Sequence, residues 1–348
     1  MPKQYGDWVI DESLSEGGQG HTFLVRRATG DPEETCVLKR LKDKERIGRF
    51  RNEVEAGLKL EHQNIVKVVD YDLGSDQPYI VTKHYRGGSL DRNRPFASRN
   101  AGQLLDLFGQ ICDGLEHAHS TGFVHRDLKP GNVFLEEGPE GHAVVGDFGL
   151  CFIDNGERVT LSEEGAVGSR FFTAPELEGG RARATAPTAL SDVYSLGKVL
   201  YWLLSSGETL SREEHREAQS NLVELTNTLF MEHANRLLDH MVAEDPAYRW
   251  NLAQVRQWLP NLKRVVVGEY NPVGPSARTR CNYCGIGAYV FVGRDRASLE
   301  RDSFITAGGH PDDMRVLVCH YCGHVQTFRP DIARRNSLSD STPWDTSG

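Results

Sequence analysis

One stretch constrains this chain more than any other: Val124 to Leu135, reading VHRDLKPGNVFL. Between apolar ends it gathers His125, Arg126, Asp127, Lys129 and the amide of Asn132 into eight residues. The flanking runs are β-like, so these groups are expected on a loop pinned at both ends. A loop held in that way can converge a carboxylate, an ammonium and an amide on a bound phosphate.

Further stretches of related chemistry follow one another along the chain. Leu14 to Phe23 (LSEGGQGHTF) is a glycine-rich turn between two extended runs. Gly17 and Gly20 there would let backbone N–H groups approach phosphate oxygens. Cys36-Val37-Leu38-Lys39 reads as a strand bearing a cation, and Arg49 to Leu60 reads as a helix carrying Glu53. Between Ala101 and Thr121, Leu104, Leu105, Phe108, Ile111, Cys112, Leu115 and Ala118 recur at three- and four-residue spacing, the stripe of a core helix. Asp147-Phe148-Gly149 stands 20 residues beyond Asp127.

The spacing H-R-D-x-K-x-x-N, with these elements in this order, resembles the eukaryotic-type (Hanks-type) serine/threonine protein kinases. The resemblance covers residues 8–262, about three-quarters of the chain. It implies an α+β, bilobal protein-kinase fold with a β-rich N-lobe and a helical C-lobe. It also implies a site for ATP with Mg²⁺ (or Mn²⁺), and protein substrates phosphorylated on Ser or Thr. Asp127 is then expected to orient or deprotonate the substrate hydroxyl, with Lys129 beside the transferred phosphate. Lys39 would reach the α- and β-phosphates while paired with Glu53, and Asn132 and Asp147 would supply hard oxygen ligands to the metal. Gly17 and Gly20 would belong to the phosphate loop, and Thr82, in Tyr79–Leu90, would lie at the gatekeeper position of the hinge. Glu176 and Arg249 are expected to form a structural ion pair. Asp192 begins the buried central helix, and the last helix spans Leu252 to Leu259 and stops at Pro260. Thr160 and Ser162 are candidate phosphorylation sites that Arg126 would receive.

Three residues depart from the pattern. Ser15 stands where the first loop glycine would be, Thr22 replaces the valine over the adenine, and Gly57 lies four residues after Glu53 on the same helix face. Helical glycine costs about 1 kcal/mol relative to alanine and fills no space. An inward pose of this helix that needs outside help is therefore expected. The departures also keep open a competing class, a pseudokinase or adaptor that binds nucleotide and acts through its C-terminal module.

That module follows a Gly/Pro-containing linker (263–277). Cys281-Asn282-Tyr283-Cys284-Gly285 and Cys319-His320-Tyr321-Cys322-Gly323 are two C-x-x-C-G turns, with 34 residues between Cys284 and Cys319. Two such turns can present four thiolates to one Zn²⁺, so residues 278–330 resemble a small zinc ribbon with four cysteine ligands, with strands expected at Ala288–Val292 and Val325–Phe328. A closed four-thiolate site has no open position, which points to recognition or regulation, with a protein or, as a further reading, nucleic acid as partner. Cys36, Cys112 and Cys151 read instead as buried, unpaired thiols. Residues 331–348 lack periodicity and read as a disordered tail, with Ser337 following Arg334 and Arg335 as a further phosphorylation candidate.

Charge separates the regions: residues 1–262 carry −11, residues 263–335 carry +4, and the chain as a whole −9. The large region is therefore a poor general nucleic-acid binder. No run of 18 apolar residues and no signal-peptide pattern occurs, so no membrane span and a cytoplasmic location are expected.

Overall fold

The computed structural model describes residues 4–16, 20–31, 33–137, 141–153, 171–178, 188–227, 231–267, 289–293, 315–319 and 325–328. Gly17, Thr160, Ser162, Cys281, Cys284, Cys322 and the 331–348 tail lie outside the described residues. The chain forms two compact units, residues 1–257 and 258–348.

The first unit begins with strands β1 (Gln4–Tyr5), β2 (Trp8–Glu16), β3 (Gly20–Arg27), β4 (Thr35–Leu41), β5 (Val68–Asp72) and β6 (Tyr79–Lys83). They form one antiparallel sheet in the order β1-β2-β3-β4-β6-β5. Period-two alternation gives this sheet two apolar faces. Tyr5, Trp8, Phe23, Val25, Cys36, Leu38, Tyr79 and Val81 pack on one face. Leu41 and Ile80 lie on the other, where Phe50 and Val54 of helix α1 (Ile47–Lys59) cover them.

Helices α2 (Leu90–Asn93), α3 (Ala101–Ser120), α4 (Ala189–Leu204), α5 (Leu222–Thr226), α6 (Glu232–Met241) and α7 (Leu252–Val266) follow. The stripe expected on α3 is buried in full. A capping box between Asn100 and Gln103 starts the helix by satisfying otherwise unpaired N–H groups. Helix α4 is buried on nearly all sides, as its mostly apolar sequence dictates. Short strands β7 (Gly88–Ser89), β8 (Phe123–Val124), β9 (Val133–Leu135), β10 (Ala143–Val145) and β11 (Phe152–Ile153) make two small sheets, β10-β9-β7 and β11-β8. The VHRDLKPGNVFL stretch is thus a loop clamped between β8 and β9.

One helix boundary is corrected. Pro260 does not end the last helix but lies inside α7. Proline forfeits one backbone hydrogen bond. Val255, Trp258, Leu262 and Val265 nonetheless continue a buried stripe through it, so burial outweighs the local penalty.

In the second unit, β12 (Tyr289–Gly293), β13 (Arg315–Cys319) and β14 (Val325–Phe328) form an antiparallel sheet in that order. The two expected strands are present, and β13 adds a third between them. Cys319 is the last residue of β13 and pairs with Tyr289. Among the described residues, no helix is long and apolar enough to cross a membrane.

Candidate active site

Lys39 lies on the α1-facing side of β4, opposite Ile80 of β6. Its Nζ donates to Glu53 Oε2 at 3.1 Å and to Asp147 Oδ1 at 3.2 Å. Burial alone would lower the lysine, but the two carboxylates more than offset that and hold its pKa above the ordinary value. Asp147 is pushed up by burial, yet Lys39 outweighs this and keeps it below the usual carboxylate range. Glu53 is raised, by burial and by the neighbouring Asp147 charge, despite Lys39. Asp147 adopts a left-handed backbone (φ 61°), an uncommon state for a non-glycine residue, and caps a single 3-10 turn, Phe148–Leu150. That turn packs against α1.

The clamped loop is organised by a group that the sequence presents only as a helix start. Asp192, fully buried in the first turn of α4, accepts the backbone N–H groups of His125 and Arg126 at 2.8 Å each and meets His119 Nε2 at 2.7 Å. Arg126 can therefore hold its left-handed conformation (φ 69°). The available signal is an aspartate near the start of a mostly apolar helix, since a buried carboxylate requires donors. His125 Nδ1 accepts from the Asp127 N–H at 3.2 Å, so its Nε2–H donates to the Gly146 carbonyl at 2.9 Å. The ring also packs 4.6 Å from Phe148. Arg126 is buried, and its Nε has no hydrogen-bond partner among the described residues.

Asp127 Oδ2 accepts from Lys129 Nζ at 2.6 Å and from Asn132 Nδ2 at 3.0 Å. Asn132 Nδ2 also donates to the Asp127 carbonyl at 2.7 Å, which leaves Oδ1 as the atom a cation would use. The structure therefore builds two clusters, Lys39–Glu53–Asp147 and Asp127–Lys129–Asn132, and Coulombic influence of Lys129 on Asp147 links them. The first holds two carboxylates against one ammonium. Together with the hard oxygen donors of Asp147 and Asn132, that charge balance fits a bound Mg²⁺. No group of three or more His, Cys, Asp or Glu side chains among the described residues is placed to hold a metal.

Of the two loop glycines expected at a phosphate, Gly17 is not described. Gly20 opens β3, where an added Cβ would lie 2.3 Å from the Arg40 carbonyl oxygen. Close approach of β3 to β4 is thus a sufficient reason for glycine at that position.

A family profile described as the protein kinase domain matches residues 8–259. The chain is 29% identical over 265 residues to the serine/threonine-protein kinase PrkC of Bacillus subtilis, covering 72% of this chain and 39% of that relative. It is 33% identical over 217 residues to the serine/threonine-protein kinase PkaA of Streptomyces coelicolor (57% and 38%). With PkaB of the same organism it shares 35% over 221 residues (59% and 50%). Each match spans half or less of the relative's own length.

Proposed function

Because this chain belongs to the protein kinase domain family, we propose that it is a serine/threonine protein kinase that transfers the γ-phosphoryl group of ATP to protein hydroxyls. The observation that carries this reading is the pair of charge clusters, with Lys39 bonded to Glu53 and Asp147 at one and Asp127 bonded to Lys129 and Asn132 at the other. Bound Mg²⁺ (or Mn²⁺) would supply positive charge that offsets the charge of the phosphates. Asp147 and Asn132 Oδ1 would hold it, and Lys39, oriented by Glu53, would place the α- and β-phosphates. Asp127 would accept the hydrogen bond of the incoming hydroxyl and hold its oxygen in line. Lys129, already on Asp127, would offset charge on the moving phosphoryl group. The same chemistry permits autophosphorylation, with Thr160, Ser162 and Ser337 as acceptors.

The kinase region is taken as residues 8–262 and the zinc module as 278–330, with Cys281, Cys284, Cys319 and Cys322 as ligands and partner recognition or regulation as its role. A cytoplasmic setting, where thiols stay reduced, suits the three buried free cysteines. The test is phosphate transfer from labelled ATP with Mg²⁺ to the chain itself and to a generic Ser/Thr substrate, beside Asp147→Ala. Label on wild type that is lost in the variant supports the kinase. ATP binding without transfer would instead leave the adaptor reading.

A further inference from the structure

Gly57 does not leave a gap. A Cβ built on it would lie 2.1 Å from Val68 Cγ2 and 2.8 Å from Val68 Cβ, so the backbone of α1 rests directly on the side chain of a β5 residue. The expectation of unfilled space at this position is reversed, because the bulk missing from the helix is supplied by the strand. Val68 pairs with Thr82 of β6, which pairs with Val37 of β4, two residues before Lys39. Lys39, Ile80 and Val68 consequently share the face on which α1 lies. Glu53 stands one helical turn before Gly57 on the same side of α1.

We infer that Gly57 and Val68 are a complementary positioning pair: the missing side chain on α1 and the bulk on β5 together set the height of the helix so that Glu53 reaches Lys39. The contact leaves little slack. Any side chain at 57 must displace α1 or β5, since 2.1 Å is far inside van der Waals contact. The Lys39–Glu53 bond is 3.1 Å long, and a lift of about one ångström takes it outside hydrogen-bond range. The inward pose of α1 is thus matched to the shapes of two residues of this chain.

The inference rests on the proposed kinase reading for its activity readout, and a second readout stands apart from it. Gly57→Ala is compared with Gly57→Ala/Val68→Gly, using kcat and KM for ATP and amide hydrogen exchange of residues 47–59. The single variant should lose ten-fold or more in kcat with a smaller change in KM, and its helix should exchange faster. The double variant, which removes the clashing atoms, should recover at least half of the loss on a logarithmic scale. A Gly57→Ala enzyme within two-fold of wild type, or a folded double variant no better than the single one, overturns the inference. If wild type itself transfers no phosphate, the kinase reading fails. The exchange data then decide the pair alone: rescue of α1 protection supports it and absence of rescue refutes it.

Discussion

Arg249 and Glu176, 73 residues apart in sequence, meet side by side: Nη1 donates to Oε1 at 2.7 Å and Nη2 to Oε2 at 2.8 Å. The remaining guanidinium donors reach the carbonyls of Ala243, Leu190 and Glu244, so every N–H of Arg249 is used. Both side chains are nearly inaccessible, at 0% and 9%. Lysine offers three donors without the planar fork. Arg249→Lys keeps the charge but loses the fork and at least two of the five hydrogen bonds, so it is expected to destabilise the kinase unit by about 1–3 kcal/mol. Burial would raise Glu176, but the Arg249 bonds win and hold it below its ordinary 4.5. A depressed carboxylate contributes fully above its unfolded value and loses that contribution as pH falls through the lower folded one. Urea melts should show the wild-type advantage over Glu176→Gln constant near neutrality and shrinking below about pH 4. An advantage that does not change with pH would sink this account.

Asp127→Asn tests the role assigned to the clamped loop. The amide keeps the shape of the side chain but weakens the acceptor that would hold the substrate hydroxyl. Transfer is expected to fall by about 10²–10⁴, the span of general-base contributions, while ATP–Mg²⁺ binding persists because Lys39, Glu53 and Asp147 are intact. Asp147→Ala should remove both. Calorimetric ATP titrations beside initial rates separate the two cases. Equal loss of binding in the two variants would contradict the division of labour.

Most of this site is legible in the sequence because its residues sit in short stretches whose chemistry is local. The loop from His125 to Asn132 nominates a phosphate chemistry by itself, and the turn at Asp147, in order behind it, strengthens the kinase resemblance. The roles of Lys39, Glu53, Glu176 and Arg249 follow from the resemblance to protein kinases. What escapes depends on contacts between distant stretches. Gly57 looks like a void in the sequence because nothing in α1 announces Val68, which lies across the sheet. Asp192 looks like a helix start because its donors are the N–H groups of His125 and Arg126, which sequence does not display. At Pro260 the local rule that proline stops a helix is overridden by the buried stripe of Val255, Trp258, Leu262 and Val265. Strand β13 is obscured by the cysteine that ends it, whose ligand pattern is the stronger signal.

Lys198 in α4 is buried, and its ammonium donates to the Leu210 and Arg212 carbonyls, with no carboxylate bonded to it among the described residues. The Tyr194 ring faces it at 5.0 Å, and Arg212, Glu213 and Glu214 act on it from the following loop. Burial, then Arg212, lowers its pKa from 10.5 to about 7. The folded state thus releases a proton that the unfolded chain still binds between those values, so stability must rise with pH across that window. Below about 7 the cost of the buried charge is present in full. Denaturation of wild type and Lys198→Met from pH 6 to 10 should show wild type gaining on the variant by up to about 1.4 kcal/mol per pH unit. Parallel curves would mean that the lysine stays charged throughout.

The seven cysteines should divide into two classes by chemistry alone. Cys36, Cys112 and Cys151 are buried and free, and burial raises all three thiols, Cys151 to about 12. They should react slowly with a thiol reagent until the chain unfolds, because the thiolate is the reactive form. Cys281, Cys284, Cys319 and Cys322 are proposed to be thiolates on one Zn²⁺, so a chelator should release one equivalent of zinc and expose four fast thiols while the other three stay slow. Cys281→Ser or Cys319→Ser should each weaken zinc retention, since a closed tetrahedral site needs its full ligand set. The proposed zinc module, residues 278–330, should then lose its thermal transition before the kinase region does, because so small a module depends on the metal for stability. A purified chain without zinc whose four paired cysteines react at once in the absence of chelator would overturn the zinc assignment and leave the three buried thiols as predicted.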